Sequence, residues 1–270
     1  MNYRKTLLFN TLGLPAYWRA CREEYARMNV REEKVSYGSS DRQYALVVTS
    51  RDIPPVSPAK YVVYLHGGAW TFGSPEKFVA AAIPWLAAGY RVILPSYRRP
   101  PAVGLNEVVA DCWSAVRACA PAETVAEFQI AGISAGAHLA ALLALDPAGW
   151  RRAGWPAAPT AALCCAGPLN FAFLRPRRLF LPRYTLLDPI QRLSEVLPNP
   201  DCRWQLLHGT ADATVDVRHS NTFHQELLNR GAAANLHHIP NGTHLDSGRW
   251  MFSGHPLRPL IDQFIAGPKR

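Results

Sequence analysis

Ser134 stands between two glycines in QIAGISAGAHLA, residues 129–140, where an apolar run ends and an Ala/Leu-rich run begins. A serine in that position can attack an acyl carbon if a sharp turn holds its hydroxyl clear of its neighbours. The Gly132-x-Ser134-x-Gly136 spacing suits such a turn, because a tightly folded backbone leaves no room for large flanking side chains. A helix starting at Ala135 would also point its N-terminus at the serine and favour negative charge developing there. Five residues alone would equally describe an ordinary tight turn. The strand before them and the helix after them give the pattern its chemical meaning.

Acyl transfer needs three further groups: donors for an oxyanion, a base, and an acid to orient the base. LHGGAW, residues 65–70, ends an apolar strand in two glycines, so its backbone can approach a substrate closely. Gly68 and Ala69, together with Ala135, are the expected oxyanion donors. His66 would shape that loop, and Trp70 is a candidate substrate-binding side chain. A Gly-Gly pair also serves as plain loop punctuation, but this one lies upstream of the serine at the carboxyl end of the third expected strand.

LLHGTADATVD, residues 206–216, places Asp212 just beyond another strand, with Asp216 and Asp201 as rival acids. IPNGTHLD, residues 239–246, places His244 in the loop before the last helix. Nine histidines make a lone one uninformative. His244 is distinguished by chain order, serine then aspartate then histidine on successive strand ends.

The elements that must position these groups read as alternating strands and helices. EKVSYG and RQYALVVTS form an antiparallel pair; YVVYLHGG, RVILPSY, EFQIAG, TAALCCAG, RWQLLHG and ANLHHIP follow as strands. Between them EKFVAAAIPWLAAGY, LNEVVADCWSAVRACA, SAGAHLAALLAL, SNTFHQELLNRG and finally HPLRPLIDQFIAG carry helical patterns. Such alternation predicts an α/β fold, a mostly parallel central sheet with helices on both faces. Residues 1–32 are read as a helical N-terminal segment. Residues 168–200, rich in Pro, Arg and large apolar side chains, break the rhythm and are read as a small inserted cap over the sheet's carboxyl edge.

Four of these stretches resemble the α/β-hydrolase family, in particular its hormone-sensitive-lipase-like and bacterial acetyl- or feruloyl-esterase-like branches and the related arylformamidases. HGGAW resembles the oxyanion motif, PSYRRPP a stretch usually written Y-R-x-x-P, GISAGAHLAAL the serine turn, and HGTADATVD the segment bearing the acid. The likeness runs from about Val35 to about Ile265. It implies the α/β-hydrolase fold over residues 1–270 as one domain, and a serine hydrolase with Ser134 as nucleophile, His244 as base and Asp212 as orienting acid. Ala137 stands where the family has a second glycine, and Asp216 where it usually has proline.

The chain of 270 residues is 49% hydrophobic and 18% charged, a composition that supports a sizeable core and excludes a disordered or fibrous protein. Its +9 formal charge is scattered, with no Lys/Arg run of five, which argues against nucleic acid as a partner. The densest basic stretch is RPRRLFLPRY, residues 175–184. Six cysteines without CxxC spacing read as free thiols. No apolar run of membrane-spanning length occurs, and the N-terminal stretch lacks a small-residue cleavage site, so a cytoplasmic location is expected.

The expected substrate is a small or medium acyl ester, since no long apolar lid is evident. A formamide and an acyl-thioester remain open, the latter because Arg175, Arg177, Arg178 and Arg183 could meet a carrier's phosphate. The chemistry calls for neither a metal nor an organic cofactor, and a homodimer stays open. A non-catalytic ligand receptor on the same fold is disfavoured, because serine, acid and histidine are all retained.

Overall fold

The computed structural model describes residues 3–53 and 58–268, with side chains from residue 13 onward. In chain order the elements are α1 (Tyr3–Tyr25), β1 (Val30–Ser36), β2 (Tyr44–Ser50), β3 (Ala59–Leu65), α2 (Ile83–Ala87), β4 (Tyr90–Pro95), α3 (Leu105–Ala118), β5 (Val125–Ile133), α4 (Ala135–Ala144), α5 (Pro147–Arg152), β6 (Ala161–Cys165), α6 (Pro189–Glu195), β7 (Arg203–Gly209), α7 (Arg218–Asn229), β8 (Ala234–Ile239) and α8 (Arg258–Ala266).

Eight strands form one sheet in the order β1-β2-β4-β3-β5-β6-β7-β8. β1 and β2 are antiparallel, as is β2 with β4, and every other pair is parallel. The central strands are buried along most of their length, and β6 is apolar at every position, because both faces of the sheet are covered. Along β3, Tyr61, Val63 and Leu65 enter one core with α3, α4 and α7, while Val62 and Tyr64 enter a second with α1, α2 and α8. That two-residue alternation of side chains is the strand's own period.

Two local departures from the sequence pattern have simple causes. The stretch expected as one helix over residues 76–90 is instead two 3₁₀ turns, Pro75–Lys77 and Val79–Ala82, followed by the five-residue α2. Pro84 lacks an N–H and would clash with the carbonyl four residues earlier, so a helix can begin around it but not run through it. Conversely, α5 appears where no helix was expected. Pro147 opens it, and the Asp146 side chain caps it by accepting from the Gly149 amide.

Residues 168–200 leave the carboxyl end of β6 and return to β7 through three 3₁₀ turns and α6. Phe171 and Leu193 of this segment are fully buried in the core beside α4. The YRRPP stretch ties the sheet's edge together. Arg98 donates its amide, Nε and Nη2 to the buried Asp111 of α3, which also accepts from Gln43. All six cysteines are unpaired, and burial pushes the Cys21, Cys165 and Cys202 thiols up to about 12. No helix among the described residues is long and apolar enough to cross a membrane.

Candidate active site

Ser134 sits between β5 and α4 with φ 56° and ψ −124°, a backbone conformation that side-chain-bearing residues seldom adopt. Its amide donates to the Cys165 carbonyl across the neighbouring strand (2.8 Å), and its carbonyl receives the Ala137 amide (2.9 Å). The turn also drives α4 hard against β3: a Cβ on Gly136 would collide with the Leu65 carbonyl. Only glycine permits that approach, which explains why the second position after the serine must be bare even though Ala137 beside it is tolerated.

The loop after β3 is similarly strained. Gly68 has φ 128°, and a side chain there would strike the Phe72 carbonyl; Ala69 and Trp70 follow at φ 49° and 62°. Of the five non-glycine residues with positive φ among the described residues, Ala69, Trp70 and Ser134 belong to this one site. Such strain persists only where its surroundings hold it. Here the buried His66 stacks on Tyr97 (4.4 Å between rings), whose hydroxyl donates to the His66 carbonyl (3.0 Å). Among the described residues the amides of Gly68, Ala69 and Ala135 donate to no protein acceptor. Two of these lie in the loop facing Ser134, and the third opens α4 directly after it.

The acid and the histidine are laced together by backbone. Thr210 N donates to Ile239 O (3.0 Å), Ala211 N to Gly242 O (2.9 Å), and Asn241 N to the Thr210 hydroxyl (2.8 Å). The loops after β7 and β8 therefore run side by side. Their apposition brings His244 Nδ1 to 2.7 Å from Asp212 Oδ2, with the carboxylate fully buried. Asp212 Oδ1 accepts the amides of Thr214 (2.8 Å) and Val215 (2.9 Å). Burial alone would raise this acid. The adjacent imidazoles of His244 and His208 outweigh burial and hold its carboxyl well below the usual carboxylate range.

His208 is a partner that sequence reasoning missed. Its Nε2 faces two acceptors, Val215 O (2.9 Å) and Asp212 Oδ2 (3.3 Å), so it carries the proton, while Nδ1 accepts the Ser220 hydroxyl (2.7 Å). The fully buried ring thereby steadies the same oxygen that His244 uses. Its position four residues before Asp212, at the end of a strand, was the available signal.

The rival acids lie elsewhere. Asp216 faces out and pairs with Arg218 (2.9 Å), which lowers its carboxyl from the usual value. Asp201 is exposed in the turn before β7, at the opposite end of that strand from Asp212.

A pocket of about 250 Å³ opens over Ser134 and His244. Its walls are Gly67 to Ala69, Phe72, Phe78, Ile133, Thr214 and Leu245, with Leu14 from α1. Trp70 does not reach it. The structure turns that indole into the core, where Nε1 donates to His138 Nδ1 (3.3 Å), because two successive positive-φ residues reverse the chain and bring Phe72 to the front instead. Among the described residues the lining includes Leu14 of α1 and none from 168–200, the segment expected as a cap. Tyr17 anchors α1 there by donating to the Gly248 carbonyl (3.3 Å) and packing on Phe78 and Phe252.

Three buried histidines around this framework give a pH dependence. Burial lowers His66, His138 and His219 to about 4, so the folded chain holds them neutral. A group depressed in the native state contributes stability above its unfolded value of 6.5, and that contribution is lost as pH falls toward 4. Asp188, raised by burial to about 6, acts oppositely but is one group against three. Unfolding free energy is expected to fall by about 2 kcal/mol between about pH 6.5 and 5.5. Urea titrations at the two pH values measure it, and an unchanged midpoint would contradict the assignment.

Comparison with known proteins agrees with this architecture. The family model for the alpha/beta hydrolase fold matches residues 62–172. The chain is 32% identical over 114 residues to a kynurenine formamidase of Salmo salar, covering 40% of this chain and 37% of that protein. It is 38% identical over 120 residues to an acetyl-hydrolase of Streptomyces hygroscopicus, covering 41% and 36%. Each match thus spans little more than a third of the relative's length. Esterase B from Lactobacillus Rhamnosis superposes with a TM-score of 0.74 at 16% identity, covering 97% of this chain and 93% of that one. The chain has the α/β-hydrolase fold.

Proposed function

We propose that the protein is a serine hydrolase that cleaves a carboxylic ester with a small or medium acyl group through an acyl-enzyme on Ser134. The observation that carries this reading is the convergence on one pocket of a strained serine, a histidine buttressed by a buried carboxylate, and three unpaired amides. His244 takes the serine proton as Oγ attacks and later returns a proton to the leaving alcohol. Its Nδ1 is committed to Asp212, which leaves Nε2 for that exchange and stabilises the imidazolium that forms. Gly68, Ala69 and Ala135 hold the tetrahedral oxyanion, each such donor being worth about 3 kcal/mol. Water then attacks the acyl-enzyme, with His244 again as base.

The mostly apolar lining suits an acyl chain or a small aromatic group better than a charged one. A second reading, hydrolysis of an aryl formamide, is favoured by the likeness to the formamidase and uses the same machinery. A panel of p-nitrophenyl esters from acetate to decanoate, with an N-formyl anilide alongside, separates the two. Highest kcat/KM is expected on the short esters and a steep fall with the longest, given the 250 Å³ enclosure. Faster turnover of the formyl anilide would replace the first reading by the second. No turnover of any of them, with no labelling by a fluorophosphonate, would end both.

A further inference from the structure

The segment 168–200 presents a surface that the pocket does not use. Residues 175–179, Arg-Pro-Arg-Arg-Leu, are all exposed. From Pro168 to Leu187 the chain holds Arg175, Arg177, Arg178 and Arg183 and no acidic residue, and the next acid, Asp188, is buried. The chain's ion pairs draw on other arginines, among them Arg98, Arg152, Arg192 and Arg218. Arg175 turns to the carbonyls of Ala172 and Leu174, and Arg183 lies over the Tyr184 ring (5.0 Å). Arg177 and Arg178 join no ion pair among the described residues.

Apolar exposure coincides with this charge. Leu179 is 57% exposed and Leu186 71%, and with Leu197 they make three of the five exposed large hydrophobic residues among those described. Loose packing does not account for them, because the segment's inward positions are already taken by Phe171, Phe180 and Leu193. Leucines held in water beside unpaired arginines are poorly placed in solution but well placed at a lipid headgroup boundary. There the leucines enter the acyl region and the guanidinium groups meet phosphates.

We propose that this face docks on an anionic bilayer through Arg177, Arg178, Leu179 and Leu186. The aromatic rings of the segment are already occupied, Phe180 on Trp70 (5.7 Å between rings), Phe171 on His138 (5.2 Å), Phe173 under Arg218 and Tyr184 under Arg183, which leaves no free stacking platform for nucleic-acid bases among the described residues. The same contacts join the docking face to the site. Phe180 packs on the indole that follows Ala69, and the Leu187 carbonyl accepts from His138 Nε2 on α4 (2.8 Å). The inference stands whether or not Ser134 is the nucleophile, since it concerns a surface and not the pocket.

Vesicle co-sedimentation tests it. The full chain is expected to bind vesicles of phosphatidylcholine with about one-third phosphatidylglycerol, to bind pure phosphatidylcholine far more weakly, and to be released by salt. The double variant Arg177→Gln/Arg178→Gln should lose about thirtyfold in affinity, and Leu179→Ser/Leu186→Ser should lose binding at high salt first. Arg151→Gln/Arg152→Gln on α5 removes the same formal charge elsewhere and should leave binding unchanged. Circular dichroism and turnover of a soluble ester verify that the variants fold. Equal losses in both arginine pairs would reduce the effect to net charge and overturn the proposal. So would absence of binding to the anionic vesicles, or retention on an acidic polypeptide column without vesicle binding, which would assign the arginines to a protein partner.

Discussion

Ser134→Ala is expected to lower kcat by about 10⁵- to 10⁶-fold and to abolish fluorophosphonate labelling, with the fold retained. Among the described residues two side chains with hydroxyls line the pocket, those of Ser134 and Thr214. Thr214 belongs to the acid's loop and gives its amide to Asp212, whereas Ser134 lies at the start of α4 beside the unpaired Ala135 amide. The oxyanion would therefore form next to Ser134 and not next to Thr214.

Ser134→Gly adds a second reading of the same position. It removes the nucleophile equally but can adopt φ 56°, ψ −124° without a Cβ penalty. Strain at such a residue costs on the order of 1–3 kcal/mol, and glycine's greater freedom in the unfolded chain offsets part of the relief. The glycine variant should therefore be inactive yet about 1 kcal/mol more stable than the alanine variant in urea unfolding. Activity within tenfold of the unsubstituted protein in either variant would remove Ser134 from the mechanism. A less stable glycine variant would show that the turn is not strained.

Much of this was legible in the chain itself, for identifiable reasons. Buried strands announce themselves as apolar runs, so β3 to β7 and the antiparallel β1–β2 pair follow from pattern, and glycines at 132 and 136 mark where α4 meets the sheet. What pattern misses is what depends on a turn's handedness or on distant packing. The sequence HGGAWTF offers both Trp70 and Phe72 to the pocket. Positive φ at Ala69 and Trp70 decides for Phe72, and nothing in the residue types reveals it. His208 could be noticed only once the Asp212 turn folds back on its own strand. The contribution of Leu14 rests on contacts such as Tyr17 to Gly248, more than two hundred residues apart, for which no local signal exists. Pro84, by contrast, was a local signal that a long helical pattern outweighed.

Asp212→Asn is expected to lower kcat by about 10⁴-fold, while Asp216→Asn changes it by less than about threefold. The sequence offers both acids within five residues of each other; the hydrogen bonds separate them. Every acceptor site on Asp212 is met by a donor: two backbone amides on Oδ1 and two imidazole N–H groups on Oδ2. An asparagine can keep its oxygen toward the amides only by turning its NH₂ toward His244 and His208, so donor faces donor. His244 would escape by moving its proton to Nε2, the nitrogen that must be bare to accept from Ser134, which is why the loss falls on turnover. His208 has a second acceptor in Val215 and needs no such change. A stability loss of about 1–3 kcal/mol should accompany the kinetic one, because a buried donor is left unmet. Asp216, by contrast, is exposed, and its ion pair with Arg218 is screened by water, so its amide should leave both kcat and the urea midpoint nearly unchanged. Steady-state kinetics on p-nitrophenyl acetate and urea unfolding of the two variants measure all four quantities. A crippled Asp216→Asn beside an active Asp212→Asn would hand the orienting role to the wrong side of the loop and undo the site as assembled here.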